Sequence, residues 1–198
     1  TKGQTKRIYS YTLATPNEVG GRLYCGNSIQ GLSSTLRGFL LEGISTDIDM
    51  ANAHPVILSY LCRINNIRTP YLDDYIMNRN EILPKYGIGA KQEFLKCVND
   101  SGRRNKYKDE YYKAFDKECK SIQKEITSLS IYKHIVDTVP TNKAYNWYGS
   151  AINRILCVYE NKIIQEDFSK KTKRLNYSDW GLIGFLSLIN IPIILLIF

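Results

Sequence analysis

The sequence lacks the cysteine pattern of a zinc ribbon and of a secreted disulfide framework. Its five cysteines are odd in number and widely spaced, and none of them forms a C-x-x-C pair, whereas those two classes depend on paired cysteines. We therefore expect reduced thiols in a cytosolic or nuclear compartment. Cys62, Cys119 and Cys157 fall on apolar faces of expected helices, which favours their interpretation as core residues.

Other common signatures are also missing. The sequence contains no G-x-x-x-x-G-K-[ST] phosphate loop and no internal repeat, which argues against a P-loop nucleotide site and a solenoid. Residues 1–17 are polar and basic and lack the apolar core of a signal peptide. Because the chain begins at Thr1 rather than at methionine, we expect a fragment or a processed piece of a longer protein.

Basic residues exceed acidic ones, at 27 Lys and Arg against 19 Asp and Glu, which gives a formal net charge of +8. An excess of this kind favours a polyanionic partner, because lysine and arginine release counterions from phosphates when they bind. A lysine-rich solvated surface explains the same number equally well. Charge alone does not separate the two interpretations.

The centre of the sequence is a strand, a turn and a helix over residues 44–64. Asp47 and Asp49 stand two positions apart on the expected strand, so their side chains point to the same side. Pro55 then stands in the first turn of a helix whose apolar residues recur at helical spacing. Acids at a strand end followed by a helix suit divalent-metal and phosphate chemistry, although an ordinary polar strand end has the same pattern.

Three short stretches precede this centre in a fixed order: Gly21-Arg22-Leu23-Tyr24, Ser28-Ile29-Gln30-Gly31-Leu32 and Arg37-Gly38-Phe39. With the strand, they resemble the palm entrance of family A DNA polymerases, which reads G-R-L, N-L-Q-N-I-P, R-x-x-F and then D-Y-S-Q-I-E-L-R. The nearer resemblance, over residues 21–62, is to a divergent branch in mobile elements and large DNA viruses. There the strand reads much like D-I-D-x-x-N-A-H-P, and the polymerase is often fused to a superfamily 3 helicase.

The resemblance implies roles for these residues. Asp49 matches the metal-binding aspartate. Asp47 would either help to bind the second metal ion or lie behind the metal ligands without contacting a metal itself. Arg22 matches the arginine that grips the primer–template backbone, a task that suits a planar guanidinium. Gln30 resembles the glutamine that contacts the template. Arg37 is expected to face the nucleic acid or to pair with a nearby acid.

A second stretch, residues 89–102, resembles the family's nucleotide-binding helix. Lys91 matches the mobile-element branch through its companions Phe94 and Leu95, and Lys96 reproduces the K-x-x-N half of the motif. The resemblance implies that one of these lysines meets the incoming triphosphate, and we favour Lys91. His54 stands where DNA-specific members carry the glutamate that blocks a ribose 2′-hydroxyl. This departure leaves the choice between DNA and RNA open.

A basic loop with Arg103 and Arg104 follows and is expected to contact a nucleic-acid backbone. Apolar residues then recur at steps of three and four from 107 to 129, which predicts a long helix. The pairs Asp109–Lys113 and Asp116–Lys120 are expected to support it. Another helix is predicted over residues 145–164.

The final stretch admits three interpretations. Asp179 is the only acid where the family's second catalytic aspartate should stand, and residues 180–198 are almost wholly apolar and about as long as a membrane span. Basic residues at 170–174 precede this run, as they would precede a membrane anchor. A tail anchor, a strand pair cut short and a run translated out of frame all fit the sequence.

Together with the observed patterns, the resemblance implies an α+β fold, a small antiparallel palm-type sheet covered by helices with a fingers-like helical region. Residues 1–104 would form the palm entrance and the nucleotide-binding helix, 105–176 a helical region, and 177–198 a degenerate catalytic hairpin or tail. The predicted function is template-directed nucleotidyl transfer with Mg²⁺ or Mn²⁺ on Asp49, Asp47 and Asp179. Its partners would be a DNA primer–template, deoxynucleoside triphosphates and a fused or separate helicase.

Alternatives from other classes remain. The chain would instead be an inactive palm remnant that only binds nucleic acid, or a membrane protein anchored by its C-terminal tail. A single-subunit RNA polymerase is the nearest variant of the main prediction, because His54 does not exclude a ribose. The expected location is cytoplasmic or nuclear, in a viral context, with the membrane as the alternative.

Overall fold

The computed structural model describes residues 10–14, 19–24, 29–43, 48–100, 106–172 and 195–197. The chain divides into two compact units. Residues 52–157 form the central unit, and residues 1–51 together with 158–198 form the terminal unit.

In the terminal unit, the described strands pair two by two. β1 (Ser10–Ala14) runs antiparallel to β2 (Val19–Tyr24), and the register is irregular between Tyr11 and Leu13. β3 (Ile48–Met50) runs antiparallel to β4 (Leu195–Ile197). The helix α1 (Ser34–Leu41) follows a short 3-10 turn, Ile29–Gly31, and the hydroxyl of Ser33 accepts the Leu36 N–H at its start.

The described elements of the central unit are helices. They are α2 (Ala53–Ile64), α3 (Pro70–Met77), α4 (Arg79–Tyr86), α5 (Ala90–Asn99), α6 (Glu110–Ser128) and α7 (Lys133–Val136), with 3-10 turns at Ser130–Tyr132 and Thr141–Asn146. α8 (Trp147–Thr172) begins in this unit. The long helix and the later helix predicted from apolar spacing are confirmed in α6 and α8.

The predicted α+β palm fold is wrong for the residues that the structure describes. Strands form near the predicted positions, but in two separate two-stranded pairs, and no larger sheet joins them within those residues. The physical reason lies in the periodicity of the apolar residues. From 52 to 157 they recur at three- and four-residue steps, so the helices bury one another's faces and need no sheet beneath them.

A cluster of aromatic rings forms the core of the central unit. Phe94 of α5 is fully buried and stacks on Tyr75 of α3, with ring centroids 4.9 Å apart. Phe115 and Tyr112 of α6 pack edge-on against Phe94 at 5.0 Å and 5.1 Å, and Tyr86 of α4 does so at 5.1 Å. Tilted and edge-on contacts of this kind add to the apolar area that the rings bury. One side chain of α5 thus joins four helices.

Polar side chains of α6 complete the hydrogen bonding at the ends of its neighbours. The carboxylate of Glu118 accepts the backbone N–H groups of Tyr71 and Leu72, at 3.2 Å and 2.8 Å, in the first turn of α3. Those N–H groups have no partner inside their own helix. Burial raises the pKa of Glu118, although the two N–H groups act in the opposite direction.

A second polar side chain of α6 binds the C-terminal end of α5. Gln123 of α6 is fully buried, and its Nε2 donates to the carbonyls of Cys97 at 3.0 Å and Val98 at 2.8 Å. These carbonyls belong to the last turn of α5, where intrahelical donors run out. α6 therefore fixes the position of the C-terminal turn of α5.

Asp109 begins α6 as its N-terminal cap. Its Oδ1 accepts the backbone N–H of Tyr112 at 3.0 Å and the hydroxyl of Tyr86 at 2.7 Å. Burial would raise the pKa of Asp109, but these hydrogen bonds outweigh that effect and lower it below 3.8. Lys113, predicted to pair with Asp109, instead pairs with Glu110 at 2.8 Å, whereas the predicted Asp116–Lys120 pair is confirmed at 2.7 Å.

We expect Asp109→Ala to lower the free energy of unfolding by about 1 kcal/mol, because the first turn of α6 loses its cap. Since the folded pKa lies below the unfolded value of 3.8, this contribution is present above about pH 4. It should disappear as the pH falls through the folded pKa. Denaturant unfolding from pH 7 to pH 2 measures both effects.

Asp109→Asn is the matched control, because the amide oxygen can still accept the N–H of Tyr112 but does not titrate. The asparagine variant should lose less stability than the alanine variant at pH 7. It should also lack the part of the acid dependence that belongs to Asp109. Equal losses in the two variants at pH 7 would show that the cap does not stabilise α6.

Two cysteines predicted as core residues, Cys62 and Cys119, are fully buried. Burial raises the pKa of the Cys62 thiol to about 12, with smaller contributions from the nearby acids Glu125, Asp73 and Glu118. Such thiols are inert core groups at neutral pH. The third, Cys157, is only half-buried.

Within the described ranges, no helix is both long enough and apolar enough to cross a membrane. The apolar run at 180–198 lies outside those ranges except for β4.

Candidate functional site

The predicted turn between the strand and α2 is built on an unusual backbone conformation. Asn52 has φ of 58° and ψ of 33°, the left-handed region that asparagine tolerates better than most residues. Its side chain makes no capping hydrogen bond, and its buried Nδ2 has no partner. Asn52 therefore shapes the turn through its backbone rather than through its side chain.

His54, predicted to contact the nucleotide, lies in the first turn of α2 and is half-buried. Its Nε2 is 4.0 Å from the Sγ of Cys157 on α8, 103 residues further along the chain. The thiol of Cys157 also donates to Oδ1 of Asn153 at 3.3 Å. This histidine–cysteine contact could not be predicted from the sequence, because neither residue belongs to a spaced ligand motif.

Imidazole and thiolate ligands suit zinc or copper rather than magnesium. Mg²⁺ instead prefers oxygen ligands such as carboxylates. The His54–Cys157 pair is therefore distinct in chemistry from the predicted carboxylate site.

The two candidate lysines of α5 are in different situations. Lys96 is 55% exposed and its Nζ binds Oε1 of Glu93 at 2.8 Å. Lys91 is exposed and makes no ion pair within the described residues. Five positions on a helix turn the chain by about 140°, so the two ammonium groups leave α5 in different directions. A single phosphate group close to α5 would therefore meet only one of them.

Both ends of α5 are fixed, which positions Lys91 and Lys96. Gly89 caps the start of the helix, and its φ of 85° is a left-handed conformation that favours glycine. At its other end, the Asn99 carbonyl accepts Nδ2 of Asn146 at 3.2 Å.

Gly149 of α8 lies directly against the same carbonyl. A Cβ built there would overlap the carbonyl oxygen of Asn99 and the Oδ1 of Asn146, and would lie 2.7 Å from the carbonyl carbon of Asn99. The sequence motif containing Lys96 and Asn99 thus ends at a close contact between two helices, which no local pattern predicted.

The remaining predicted residues lie in the terminal unit or outside the described ranges. Arg22 is in β2, Gln30 in the 3-10 turn Ile29–Gly31, and Arg37 is half-buried in α1. Asp49 is in β3, where its backbone stands opposite Leu196 of β4. Residues of the predicted site outside the described ranges are Asp47, Arg103, Arg104 and Asp179.

Asp73 and Asp74 are adjacent acids of α3 that hydrogen-bond to neighbouring side chains. Asp73 accepts the hydroxyls of Ser59 at 2.5 Å and Thr69 at 3.0 Å. Asp74 instead accepts the hydroxyl of Tyr111 of α6 at 2.7 Å. The two carboxylates therefore serve different neighbours, as adjacent positions on a helix require.

Comparison with known proteins finds a partial similarity to a viral protein. A stretch of 68 residues, 33% of the chain, is 41% identical to "Putative helicase V13" of the Sputnik virophage. The chain spans 9% of the length of that protein. No protein family matches the chain, and no solved structure matches it. Part of the chain is thus similar to a viral protein described as a helicase, which fits a viral replication-associated protein, and the comparisons give no support for family A polymerases.

Proposed function

We propose that this chain belongs to a viral replication protein and performs template-directed nucleotidyl transfer beside a helicase. The observation that carries the proposal is the partial identity with a virophage protein described as a helicase. In the branch that residues 21–62 resemble, the polymerase is often fused to a helicase. A helicase relative is therefore the kind of neighbour that this resemblance implies.

The acids Asp49, Asp47 and Asp179 are proposed to hold the metal ions. A donor set made of carboxylate oxygens fits Mg²⁺ or Mn²⁺, which would activate the primer hydroxyl and neutralise the triphosphate. In the reaction, the primer 3′-oxygen bonds to the α-phosphorus while the bond to the leaving pyrophosphate breaks. Arg22, Gln30, Arg37, Arg103 and Arg104 are proposed to hold the primer–template through phosphate and sugar contacts.

Lys91 is proposed to bind the triphosphate in preference to Lys96. An ammonium group that meets a phosphate must be accessible and free to form a charge-assisted hydrogen bond. Lys91 is exposed and has no ion pair in the described part of the chain, whereas Lys96 is held by Glu93. His54 is proposed to face the sugar of the nucleotide, and its identity leaves the DNA or RNA product open.

Primer extension with the purified chain tests the proposal. We expect incorporation of deoxynucleotides that requires Mg²⁺ or Mn²⁺ and stops when EDTA is added. Asp49→Asn should lower the rate by at least about 100-fold, since even residues behind a metal ligand contribute 10–100-fold. Lys91→Ala should lower it by about 100-fold as well, because the charge opposite the leaving group is lost.

Matched variants make the result specific. Asp137→Asn removes an exposed acid of the central unit that pairs with Lys133, and it should leave the rate unchanged. Lys96→Ala should have a much smaller effect than Lys91→Ala. Binding of a primer–template without any incorporation would support the inactive nucleic-acid-binding alternative. Flotation of the chain with lipid vesicles, without DNA binding, would support the membrane-anchored alternative.

A further inference from the structure

The outer face of α6 carries a row of four lysines. Lys113, Lys117, Lys120 and Lys124 follow one another at steps of four, three and four residues. At 100° per residue, all four project within about 60° of one another around the helix axis. We call these four residues the lysine stripe. Lys113, Lys117 and Lys124 are exposed, and Lys120 is half-buried.

The stripe lies away from the core of the central unit. The buried apolar face of α6 is formed by Tyr112, Phe115, Cys119, Ile122 and Ile126, and its centre is about two fifths of a turn from the lysines. The stripe is therefore a surface, and its lysines are not needed to fill the core.

The acids of α6 compensate the stripe only in part. Asp116 is 3% exposed and pairs with Lys120, and Glu118 is directed at the backbone of α3. Glu125 accepts the hydroxyl of Ser121. Lys113 pairs with Glu110, which is 93% exposed, and an ion pair between such exposed groups is weak.

Lys117 and Lys124 carry the uncompensated charge of the stripe. Both are exposed, and neither makes an ion pair in the part of the chain that the structure describes. Together with Lys113, whose partner is readily exchanged, they present three positive groups to an external anion.

We propose that the lysine stripe binds the sugar–phosphate backbone of duplex DNA. From Lys113 to Lys124 the helix rises about 16 Å, a length over which one strand of B-DNA presents about five phosphates. Lysine ammonium groups act as point charges on phosphates and read no sequence. No exposed aromatic side chain stands among the four lysines, which favours backbone contact over the base stacking of single-strand binders.

The proposal rests on the proposed function for its DNA partner, but it adds a surface that the resemblance does not include. Arg22, Gln30, Arg37, Arg103 and Arg104 are the residues that the resemblance would place on nucleic acid. The lysine stripe would be a further phosphate-binding surface, formed by α6 of the central unit.

The test is the salt dependence of binding, measured by fluorescence anisotropy with the full chain and a labelled 20-base-pair duplex. The double variant Lys117→Gln/Lys124→Gln should reduce the slope of log Kobs against log[NaCl] by about 1.8, because each lost phosphate contact removes about 0.9. Lys117→Arg/Lys124→Arg should keep the wild-type slope. The control Arg68→Gln/Lys85→Gln removes two exposed charges elsewhere in the central unit and should change the slope by less than about 0.5.

Each outcome decides the proposal. An unchanged slope in the Lys117/Lys124 glutamine variant overturns it, as does an equal drop in the Arg68/Lys85 control, which would show a general effect of net charge. Absence of duplex binding by the wild-type chain also overturns it. A selective drop in slope supports the stripe even where primer extension fails, so the failure of the proposed function is recognised separately.

Discussion

Phe94→Ala should lower the free energy of unfolding by about 3–5 kcal/mol, the range for removing a buried phenylalanine ring. The Phe94 ring is fully buried and touches rings of α3, α4 and α6. Four helices would border the resulting cavity, and helices anchored by hydrogen bonds at their ends cannot move far to fill it. Denaturant unfolding followed by far-UV circular dichroism measures the loss.

Phe39→Ala is the control for ring removal, because the Phe39 side chain is 75% exposed in α1. Its effect on stability should stay within about 0.5 kcal/mol, as for most surface substitutions. A loss below about 1.5 kcal/mol in Phe94→Ala would mean that the four helices collapse around the missing ring. The aromatic cluster would then not be the centre of this unit.

Gly149→Ala should lower the free energy of unfolding by about 1–3 kcal/mol, the usual cost of overpacking. The new Cβ would overlap the Asn99 carbonyl oxygen, which belongs to the backbone and cannot rotate away as a flexible side chain could. The substitution would otherwise favour the helix by about 0.5–1 kcal/mol, because alanine loses less backbone entropy than glycine. The steric cost should exceed this gain, and the midpoint of denaturant unfolding should fall.

Gly38→Ala is the matched control, because Gly38 also lies in a helix but its replacement should not lower stability. Gly38 lies inside α1, and a Cβ built there would meet nothing within 4 Å. This variant should be neutral or more stable by up to about 1 kcal/mol. If Gly149→Ala behaved like Gly38→Ala, the close approach of α8 to α5 would be excluded.

The periodicity of apolar residues was enough to predict the helices, but not the partners of their polar groups. The Asp116–Lys120 ion pair is present as predicted. Asp109 instead caps α6, and Lys113 forms its ion pair with Glu110. An aspartate at a helix start can either cap the helix or pair with a lysine one turn later. The Tyr86 hydroxyl, from a different helix, adds a hydrogen bond that spacing along α6 could not reveal.

The error in fold class has a related cause. A two-residue alternation predicts a strand, but it contains no information on which strands pair or how many form one sheet. The resemblance supplied that information from the family, and the described strands pair only two by two. Contacts between residues distant in sequence, such as His54 with Cys157 and Gly149 with Asn99, were beyond local patterns for the same reason.

The way α6 closes the ends of its neighbours bears on how the central unit unfolds. Glu118 accepts N–H groups in the first turn of α3, and Gln123 donates to carbonyls in the last turn of α5. Detaching either helix alone would leave backbone groups of that helix, and the side chain that bonded them, without hydrogen-bond partners. Each unpaired buried group would cost free energy. Partial opening is therefore unfavourable, and this unit should unfold in a single cooperative step.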